Sequence, residues 1–531
     1  MKKIHIYILT LGLFLWSACS ESFLDSEPIT SLTDVNFYKT TDDAELAIVG
    51  CYDGLQVVYS AGNGMAFPVM AEVLSDNCFG ATGVSDSYNY QVADEFDLSR
   101  SPAEVDMLND YWKAYYKAIY RCNVLLSKMD QIEWGEDLQL RNNIESQARF
   151  LRAYVYFDMV RLWENVPLLT EPSNENIPQA NPDDVYKLIA EDLQFAATNG
   201  AETVEPGRVN KWAAKAMLAR VYLFYTGYYG KTDLLTIAKG DVLQGLEDII
   251  TADKYGLVEE YKNLWPAASS TPNEAGDGLT TTYAGKDNKE TVFAIKYNIT
   301  SDYDGNTDGN HWMVMLGLRS QSFSPYGKGW GSCTVLPSLY NAYEEDDVRK
   351  EASIIGIAEE GLDFDNSDQR EYTGYASKKY IPLSNPDGKD VAEINGASNF
   401  MIGQYQDYVV IRYADVLLMA AELGSSNAQD YFDEIRLRAG LDSKTVSPAN
   451  LLAERRYEFA LEGIRYWDLL RQGLETAANT IATTQTVLNG GVEVTKKIEK
   501  SKIMATKGFQ VIPQTQISLS DGVLIQNDGW K

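Results

Sequence analysis

Histidine is nearly absent from this sequence of 531 residues, which contains only His5 and His311. A Ser-His-Asp or Cys-His catalytic site would have to use His311, and no nucleophile motif lies near it. Metal sites built from several histidines are excluded for the same reason. A glycoside hydrolase is not excluded, because glycoside hydrolysis needs only two carboxylates and the chain has 76 acidic residues.

Positive charge is also scarce, since 46 basic residues stand against 76 acidic residues and leave a net charge of −30. Binding to nucleic acid requires a basic surface, so nucleic acid is not expected as a partner. Because like charges repel at long range, the composition favours a neutral or cationic ligand over a polyanion.

Cysteines are few and far apart, and no Cys-x-x-Cys motif occurs, so neither a zinc site nor a redox pair is predicted. Apart from Cys19, they are Cys51, Cys78, Cys122 and Cys333. Cys51 and Cys122 stand in apolar helical contexts and are predicted to be buried thiols. An oxidising compartment would permit one disulfide, but the sequence does not assign its partners.

The one long apolar run is Ile4–Trp16, which follows two lysines at the N-terminus. It is shorter than the about 20 residues of a transmembrane helix, and its flanks are typical of a secretory signal. Ala18 precedes Cys19 just after the run, as at a lipoprotein cleavage site. We predict that residues 1–18 are a lipoprotein signal peptide and that Cys19 carries the lipids. Trp16 stands where Leu is usual, so a secreted protein cleaved elsewhere remains the alternative.

Helical periodicity dominates on both sides of a loop-rich centre. In Met107–Trp163, for example, apolar residues recur at spacings of three and four. The segment 261–407 is instead rich in Gly, Asn, Asp, Ser and aromatic residues, a composition typical of functional loops. We predict a mainly α-helical protein with three parts after the signal peptide: a helical part 19–260, a loop-rich region 261–407 and a helical part 408–531.

The C-terminal part is predicted to resume helix at Val409 and to end its helical pattern with one long helix, Pro448–Gln472. On that helix, charges of alternating sign stand three residues apart, at Glu462, Arg465, Asp468 and Arg471. We interpret them as a solvated or packed ion-pair ladder rather than as a catalytic set. Four tryptophans on predicted helices are assigned to the core, namely Trp112, Trp163, Trp212 and Trp467.

One short pattern in the loop-rich region suggests a metal site. Asp304, Asn306, Asp308 and Gly309 match the first half of a calcium-binding loop, in which alternate oxygen ligands converge on the cation. Met315 occupies the position of the bidentate glutamate, so the second half fails. A polar turn is the alternative interpretation, and calcium is the only cofactor considered.

Six segments together resemble a known family. They are FLDSEP (Phe23–Pro28), ARFLRAYVYFDMVRLWENVPLLTEP (Ala148–Pro172), WAAKAMLARVYLFYTG (Trp212–Gly227), IRYADVLLMAAE (Ile411–Glu422), ERRYEFALEGIRYWDLLRQG (Glu454–Gly473) and VIPQTQISLSDGVLIQNDGW (Val511–Trp530). In this order they closely resemble the SusD/RagB family of outer-membrane lipoproteins. The resemblance covers the chain from the lipidated cysteine to the penultimate residue.

The resemblance implies tetratricopeptide-like helix pairs in a right-handed superhelical scaffold, with an inserted loop-rich region that bears the ligand site. It also implies capture of a nutrient, usually a glycan, at the cell surface, without any chemical reaction. The lipoprotein would lie on the outer membrane, facing the cell exterior, as a hinged lid on a SusC-like TonB-dependent transporter.

In proteins of this family, the aromatic residues that contact the ligand come from loops in two general regions, which have no fixed motif. A neutral sugar has apolar C–H faces and hydroxyl groups, so exposed loop aromatics and their polar neighbours are the candidates. In this chain they are Asp76, Asn77, Tyr88, Tyr90, Tyr283, Tyr303, Trp312, Tyr326 and Trp330. The alternative is that these aromatics pack the loops themselves.

Two other functions remain open at this point. In the second hypothesis the nutrient is a peptide or another compound instead of a glycan, since some members of the family take peptides. A carboxylate-only glycoside hydrolase is the third hypothesis.

Overall fold

The computed structural model describes residues 37–60, 65–173, 175–304 and 306–531. It is 46% helical, which confirms the prediction of a mainly α-helical protein. The predicted signal peptide 1–18, the lipidation site Cys19 and the segment Phe23–Pro28 lie outside the described residues. Of the helices described, none is both long and apolar enough to cross a membrane.

The helices are numbered along the described chain. They are α1 (Thr41–Tyr59), α2 (Phe67–Val73), α3 (Asn89–Glu95), α4 (Asn109–Lys128), α5 (Leu138–Trp163), α6 (Pro182–Asn199), α7 (Lys211–Tyr229), α8 (Lys239–Thr251), α9 (Pro266–Ser269), α10 (Met313–Leu316), α11 (Pro337–Tyr340), α12 (Arg349–Ser353), α13 (Val391–Ile394), α14 (Tyr413–Glu422), α15 (Ala428–Arg438), α16 (Pro448–Glu458), α17 (Arg465–Leu470), α18 (Leu474–Ile481), α19 (Lys500–Thr506) and α20 (Gln514–Leu519). Short 3-10 helices cover Leu98–Arg100, Pro102–Asp106, Met129–Gln131, Tyr261–Leu264 and Asn366–Asp368.

The strands are short. They are β1 (Cys78–Gly80), β2 (Ser270–Pro272), β3 (Leu279–Thr281), β4 (Thr291–Ile295), β5 (Leu318–Arg319), β6 (Lys328–Gly329), β7 (Cys333–Val335), β8 (Ile354–Gly356), β9 (Tyr375–Ser377), β10 (Tyr408–Arg412), β11 (Thr483–Asn489) and β12 (Val492–Ile498). They form one four-stranded sheet of order β1-β7-β9-β8 and four strand pairs, β10-β4, β11-β12, β2-β3 and β5-β6.

Helices α1 and α4–α8 form the scaffold, in which each of α5–α8 packs against the helix before it. Local signals set the helix ends. Asn181 caps α6 just before Pro182, and α7 ends at Gly230, whose φ of 64° suits glycine. The four tryptophans assigned to the core are buried, as predicted. This succession of packed neighbours agrees with tetratricopeptide-like pairs, whereas the right-handed superhelix stays a prediction.

The prediction of a helix from Val409 is wrong at its start. Tyr408–Arg412 forms β10, which pairs antiparallel with β4, and α14 begins at Tyr413. The β-branched run Val409–Ile411 favours an extended backbone. Ile411 therefore belongs to a buried strand and not to the helix that follows.

The predicted single helix Pro448–Gln472 consists of two helices, α16 and α17, separated by a turn. Gly463 in that turn has a φ of 78°, and a Cβ atom there would lie 3.1 Å from Pro68 Cα. A residue without a side chain is therefore needed both for the backbone conformation and for the close approach. As a consequence, Glu462 leaves the helix and accepts hydrogen bonds from Arg412 and Lys379.

The remaining charges of the predicted ladder pair mostly with distant residues. Only Asp468 and Arg471 pair within α17 and its cap. Arg465 pairs with Asp76, and Asp468 also pairs with Arg455. The prediction of ion pairs is confirmed. The prediction of a local ladder is wrong because α16 ends at Glu458, before Glu462, the first residue of the predicted ladder.

A buried group of charges joins the loop-rich region to the C-terminal helices. We call it the Glu458 cluster; it contains Glu290, Arg349, Lys379, Arg412, Arg438, Glu454, Glu458 and Glu462. Arg412 and Arg438 each contact both Glu290 and Glu458. They contact Oε1 of Glu458, whereas Arg349 Nη1 lies 3.2 Å from its Oε2. Burial alone would raise the pKa of Glu458, but Arg438, Arg412 and Arg349 hold it well below its usual value.

Strand pairing crosses both predicted boundaries of the region 261–407. Strand β4 pairs with β10, and β7 pairs with β1 of the N-terminal part. The division into 19–260, 261–407 and 408–531 therefore stays a prediction. The hairpin β11–β12, which turns at Gly490 and Gly491, was not predicted. Its sequence signal, two glycines between alternating residues, is present in the chain.

The four cysteines in the described part of the chain are buried free thiols, as predicted for Cys51 and Cys122. The permitted disulfide is thus not formed in this structure.

Replacement of Glu458 by Gln is expected to destabilise the fold by about 3–5 kcal/mol, because Arg349, Arg412 and Arg438 would lose a buried countercharge. The measurement is the urea midpoint of the variant against the wild type. Glu475→Gln serves as the control, since Glu475 pairs with Lys500 at the surface and should leave the midpoint unchanged. Equal midpoints for all three proteins would show that the Glu458 cluster contributes nothing to stability.

Candidate functional site

Strand pairing brings the two predicted ligand regions together. Strand β1 pairs antiparallel with β7, with Gly80 opposite Cys333. The loop that follows β1 and the stretch that precedes β7 therefore leave the four-stranded sheet at the same end of the two strands. At this end, residues from the two regions can contact one ligand.

Arg319 and Trp330 are fixed by the short parallel strands β5 and β6, in which Arg319 is opposite Gly329. Trp330 follows directly, and its backbone N–H donates to the Val314 carbonyl at 2.7 Å. A Cβ atom on Gly329 would lie 2.1 Å from that same carbonyl oxygen. Only glycine permits this approach, so Gly329 determines where the half-buried Trp330 emerges.

The Arg319 guanidinium connects two loops through their carboxylates. Its Nη1 lies 2.9 Å from Asp86 Oδ2, and its Nε lies 2.8 Å from Asp368 Oδ2. Backbone N–H groups of Gly83 and Val84 donate to the same two carboxylates. Both carboxylates remain partly exposed, so they retain acceptor capacity towards a ligand.

Tyr88 lies on the other side of this group. The Arg370 guanidinium is 3.8 Å from the centroid of the Tyr88 ring and donates to the carbonyls of Ser87 and Val84. Arg370 therefore covers one part of the ring and holds the loop beneath it, while Tyr88 stays half-exposed.

We name the surface formed by Asp86, Tyr88, Arg319, Trp330 and Asp368 the Arg319 face. It combines two aromatic rings with one guanidinium and two carboxylates. Together with Arg370 beneath Tyr88, the charges of the face sum to zero. Such a surface can stack an apolar ring face and can exchange hydrogen bonds with neighbouring hydroxyl groups.

Two of the predicted site residues in the first region are structural. Asn77 is fully buried; its Nδ2 donates to Glu72 Oε2, and its Oδ1 accepts a hydrogen bond from Arg456. Asp76 forms ion pairs with Arg465 and Arg456. The prediction that Asp76 and Asn77 contact a ligand is therefore wrong, because their polar atoms already hold α2 against the C-terminal helices.

Three predicted aromatics also lie in the core. Trp312 is 0% exposed and packs between the rings of Tyr380 and Tyr408, at centroid distances of 5.0 and 5.4 Å. The Tyr90 hydroxyl accepts the backbone N–H of Ala66. Tyr326 is buried, and its hydroxyl donates to Glu360 at 2.6 Å. For Tyr90, Trp312 and Tyr326 the alternative interpretation, packing of the loops, is the correct one.

The other two aromatics do not reach the Arg319 face. Tyr303 is 70% exposed on the loop that follows β4. Tyr283 is half-buried and lines a cavity of about 240 Å³ together with Tyr405, and no residue of the Arg319 face lines this cavity. Among the nine predicted residues, Tyr88 and Trp330 are half-exposed and lie in the stretches that follow β1 and precede its partner β7. Their contact with a ligand stays a prediction.

The predicted calcium loop uses its oxygen atoms internally. Asp302 accepts the backbone N–H groups of Asp304 and Asn306, and Asn306 accepts that of Asp308. In the described ranges, no group of three or more His, Cys, Asp or Glu residues is arranged to hold a metal ion. Calcium binding by Asp304, Asn306 and Asp308 stays a prediction, and the contacts observed are those of a polar turn.

Two family models match the chain. The model described as the SusD family matches residues 289–530, and the model described as "Starch-binding associating with outer membrane" matches residues 22–223. The chain belongs to the SusD family. The predicted SusD/RagB membership is thereby confirmed, and the second description supports a location at the outer membrane.

Individual relatives of this SusD-family chain agree with the assignment. A SusD-like protein of Bacteroides ovatus is 25% identical over 499 residues, which cover 88% of this chain and 82% of that protein. The solved structure of a laminarin binding SusD-like protein is 27% identical, with a TM-score of 0.71 over 93% of this chain and 100% of the other. Surface glycan-binding protein A from Bacteroides thetaiotaomicron has a TM-score of 0.75 over 93% of this chain and 100% of that one, and at 22% identity it shows the fold alone.

These relatives also bear on catalysis. The 27% identical structure is named as a binding protein, in agreement with the prediction that this SusD-family chain is not an enzyme.

Three residues of the Arg319 face were not predicted from the sequence, namely Asp86, Arg319 and Asp368, and neither was Arg370 beside Tyr88. Each is a single charged residue, and the partners lie far apart in the chain. No short-range pattern of this SusD-family chain marks them, whereas Trp330 was predicted as an aromatic residue of the loop-rich region.

Glu72, which holds Asn77, is expected to make stability depend on pH. Burial raises the pKa of Glu72 to about 7 from 4.5, although Gly463 N–H and Asn77 donate to its carboxylate. A raised folded-state pKa gives stability that is present below pH 4.5 and is lost as the pH rises through about 7. Relative to Glu72→Gln, the wild type should therefore lose on the order of 3 kcal/mol between these pH values.

The measurement is the urea midpoint of both proteins at several pH values from 5 to 8. If the substitution also has a cost that is independent of pH, the plot of urea midpoint against pH shifts as a whole and its slope does not change. Parallel curves for the two proteins would contradict a raised pKa at Glu72.

Proposed function

We propose that this SusD-family chain captures a neutral glycan through the Arg319 face. The observation that carries the proposal is the Arg319 guanidinium with its two partly exposed carboxylates, Asp86 and Asp368. The half-exposed Trp330 directly follows Gly329, which pairs with Arg319 across β5 and β6. A sugar ring stacks its C–H face on an aromatic ring, while its hydroxyls bind to a guanidinium or a carboxylate. The 27% identical structure that is named for laminarin binding supports the same class of ligand.

The charge of the surface supports a neutral ligand. Arg319 and Arg370 balance Asp86 and Asp368, so the Arg319 face has no excess of positive charge for an acidic sugar. The chain as a whole carries −30, which repels polyanions at long range. Sulfated or uronic-acid-rich glycans are therefore expected to bind more weakly than neutral ones.

Replacement of Trp330 by Ala is expected to weaken glycan binding at least about tenfold, or ~1.4 kcal/mol, because the stacking surface is lost. The measurement is isothermal titration of laminarin and of a panel of neutral and acidic polysaccharides and peptides. Laminarin is the first probe because a similar protein is named for binding it.

Tyr303→Ala is the matched control, since Tyr303 is an exposed aromatic of the same region and is not part of the Arg319 face. Its affinity should equal that of the wild type. Unchanged affinity in Trp330→Ala would exclude the Arg319 face as the site. If only the peptides of the panel bind, the ligand is a peptide and the glycan proposal is wrong.

We further propose that the chain is held on the outer membrane by lipids on Cys19, faces the cell exterior and delivers its ligand, as a lid, to a SusC-like TonB-dependent transporter. The family resemblance implies this arrangement, and the family-model description of association with the outer membrane supports its location. The lipids would keep the lid near the transporter while it opens.

Cys19→Ser tests this arrangement, because serine accepts no lipid at that position. The variant should move from the membrane fraction to the soluble fraction and should recover less transporter when a tagged chain is pulled down from solubilised outer membranes. Cys51→Ala, which changes a buried thiol, is the control. A Cys19→Ser protein that stays in the membrane fraction with undiminished transporter would contradict the proposal.

A further inference from the structure

A second concave site lies in the loop-rich region, around Tyr283. The cavity has a volume of about 240 Å³ and an apolar floor that includes Met313, Ile381 and Leu383. Tyr283 and Tyr405 line it as half-exposed aromatics. Its size is below that of sites for larger organic ligands, so it suits one ring-sized unit rather than a chain.

Two glutamines in this cavity have unused hydrogen-bonding capacity. Gln404 is 3% exposed; its Nε2 donates to the Asp390 carboxylate and to the Phe400 carbonyl, which leaves Oε1 without a donor in the described chain. Gln406 is 8% exposed, and its side chain forms no hydrogen bond to any residue that the structure describes. Both residues line the cavity and their unpaired amide atoms are not enclosed, so these atoms are available to the hydroxyl groups of a ligand that enters it.

The two lysines near the cavity are both paired with carboxylates. Lys286 Nζ lies 3.0 Å from Asp407 Oδ1, and Lys296 Nζ lies 2.7 Å from Asp407 Oδ2 and 2.6 Å from Asp287 Oδ1. Lys286 also donates to the Tyr297 carbonyl. Because both lysines are already paired with carboxylates, the site offers no free cation to an anionic ligand.

We propose that the cavity at Tyr283 is a second carbohydrate subsite, which takes one neutral sugar unit. The apolar floor accommodates the C–H face of the ring, and the amides of Gln404 and Gln406 bind its hydroxyls. A purely apolar occupant would leave both amides unpaired, and an acidic sugar would bring an uncompensated charge. The inference rests on the proposed function in that it assumes a glycan ligand, but it concerns a different site from the Arg319 face.

The cavity can be blocked from one strand. Leu279 and Thr281 line it, whereas Thr280 between them is exposed and does not, as expected from the alternation along β3. Leu279→Trp fills the cavity, and Thr280→Trp adds the same side chain on the opposite face as the matched control. Gln406→Leu keeps the shape of the cavity and removes one amide.

The test is saturation-transfer NMR of the full chain with D-glucose, D-galactose, D-mannose, D-xylose and D-glucuronate. At least one neutral sugar should show transfer in the wild type, in Thr280→Trp and in Trp330→Ala. Because the Arg319 face can also bind a sugar, the cavity variants are made in the Trp330→Ala background. There the signal should vanish with Leu279→Trp and fall several-fold with Gln406→Leu, and D-glucuronate should give less transfer than the best neutral sugar.

The subsite is refuted if no neutral sugar shows transfer in the wild type or if, in the Trp330→Ala background, Leu279→Trp retains the signal or Gln406→Leu leaves it unchanged. Titration of the single variants with laminarin keeps this result distinct from the proposed function. Polysaccharide binding that survives in Leu279→Trp but not in Trp330→Ala would support the Arg319 face irrespective of the cavity. Transfer from a monosaccharide without binding of any polysaccharide would support the cavity and refute the proposed function.

Discussion

The buried charges of the Glu458 cluster are the constraint on which the rest of the structure depends. Glu290 and Arg349 belong to the loop-rich region, whereas Arg412, Arg438 and Glu458 belong to the C-terminal part. A single charge buried without its partners would cost several kcal/mol, so each is tolerated only because opposite charges contact it. Since the partners are distant in sequence, the cluster requires both parts to be in their native positions.

The cluster and the cavity at Tyr283 share backbone segments. Lys379 contacts Glu462 within the cluster, and two residues further along the chain Ile381 forms part of the cavity floor. Arg412 ends β10, and Gln406 lies just before that strand. The same backbone segments thus serve the charge cluster at one end and the cavity at the other.

The ion pairs of the Arg319 face differ from those of the cluster in exposure. The Glu458 side chain is inaccessible to solvent, whereas the carboxylates of Asp86 and Asp368 are 39% and 48% exposed. Partly exposed pairs are weak and exchange readily with water, so a ligand hydroxyl can replace a water at small cost. Charge in this protein therefore stabilises the fold where it is buried and is available for recognition where it is not.

Most of the helices that were predicted have local signals. Periodic apolar residues predicted helix in Met107–Trp163, where α4 and α5 lie. Errors occurred where long-range pairing prevailed: β10 exists because β4 is its partner, and the break at Gly463 exists because Pro68 approaches it. The ion-pair partners of Arg319, Asp86 and Asp368, could not be predicted for the same reason.

The sequence by itself determined the helical class, the family and the excess of negative charge. Only the tertiary structure decided which loop aromatics are available to a ligand. Trp312 and Trp330 stand in similar loop sequence, yet Trp312 is enclosed by Tyr380 and Tyr408 while Trp330 emerges at the edge of the sheet. The burial of a loop side chain is set by residues far away in the chain, and no local pattern records their position.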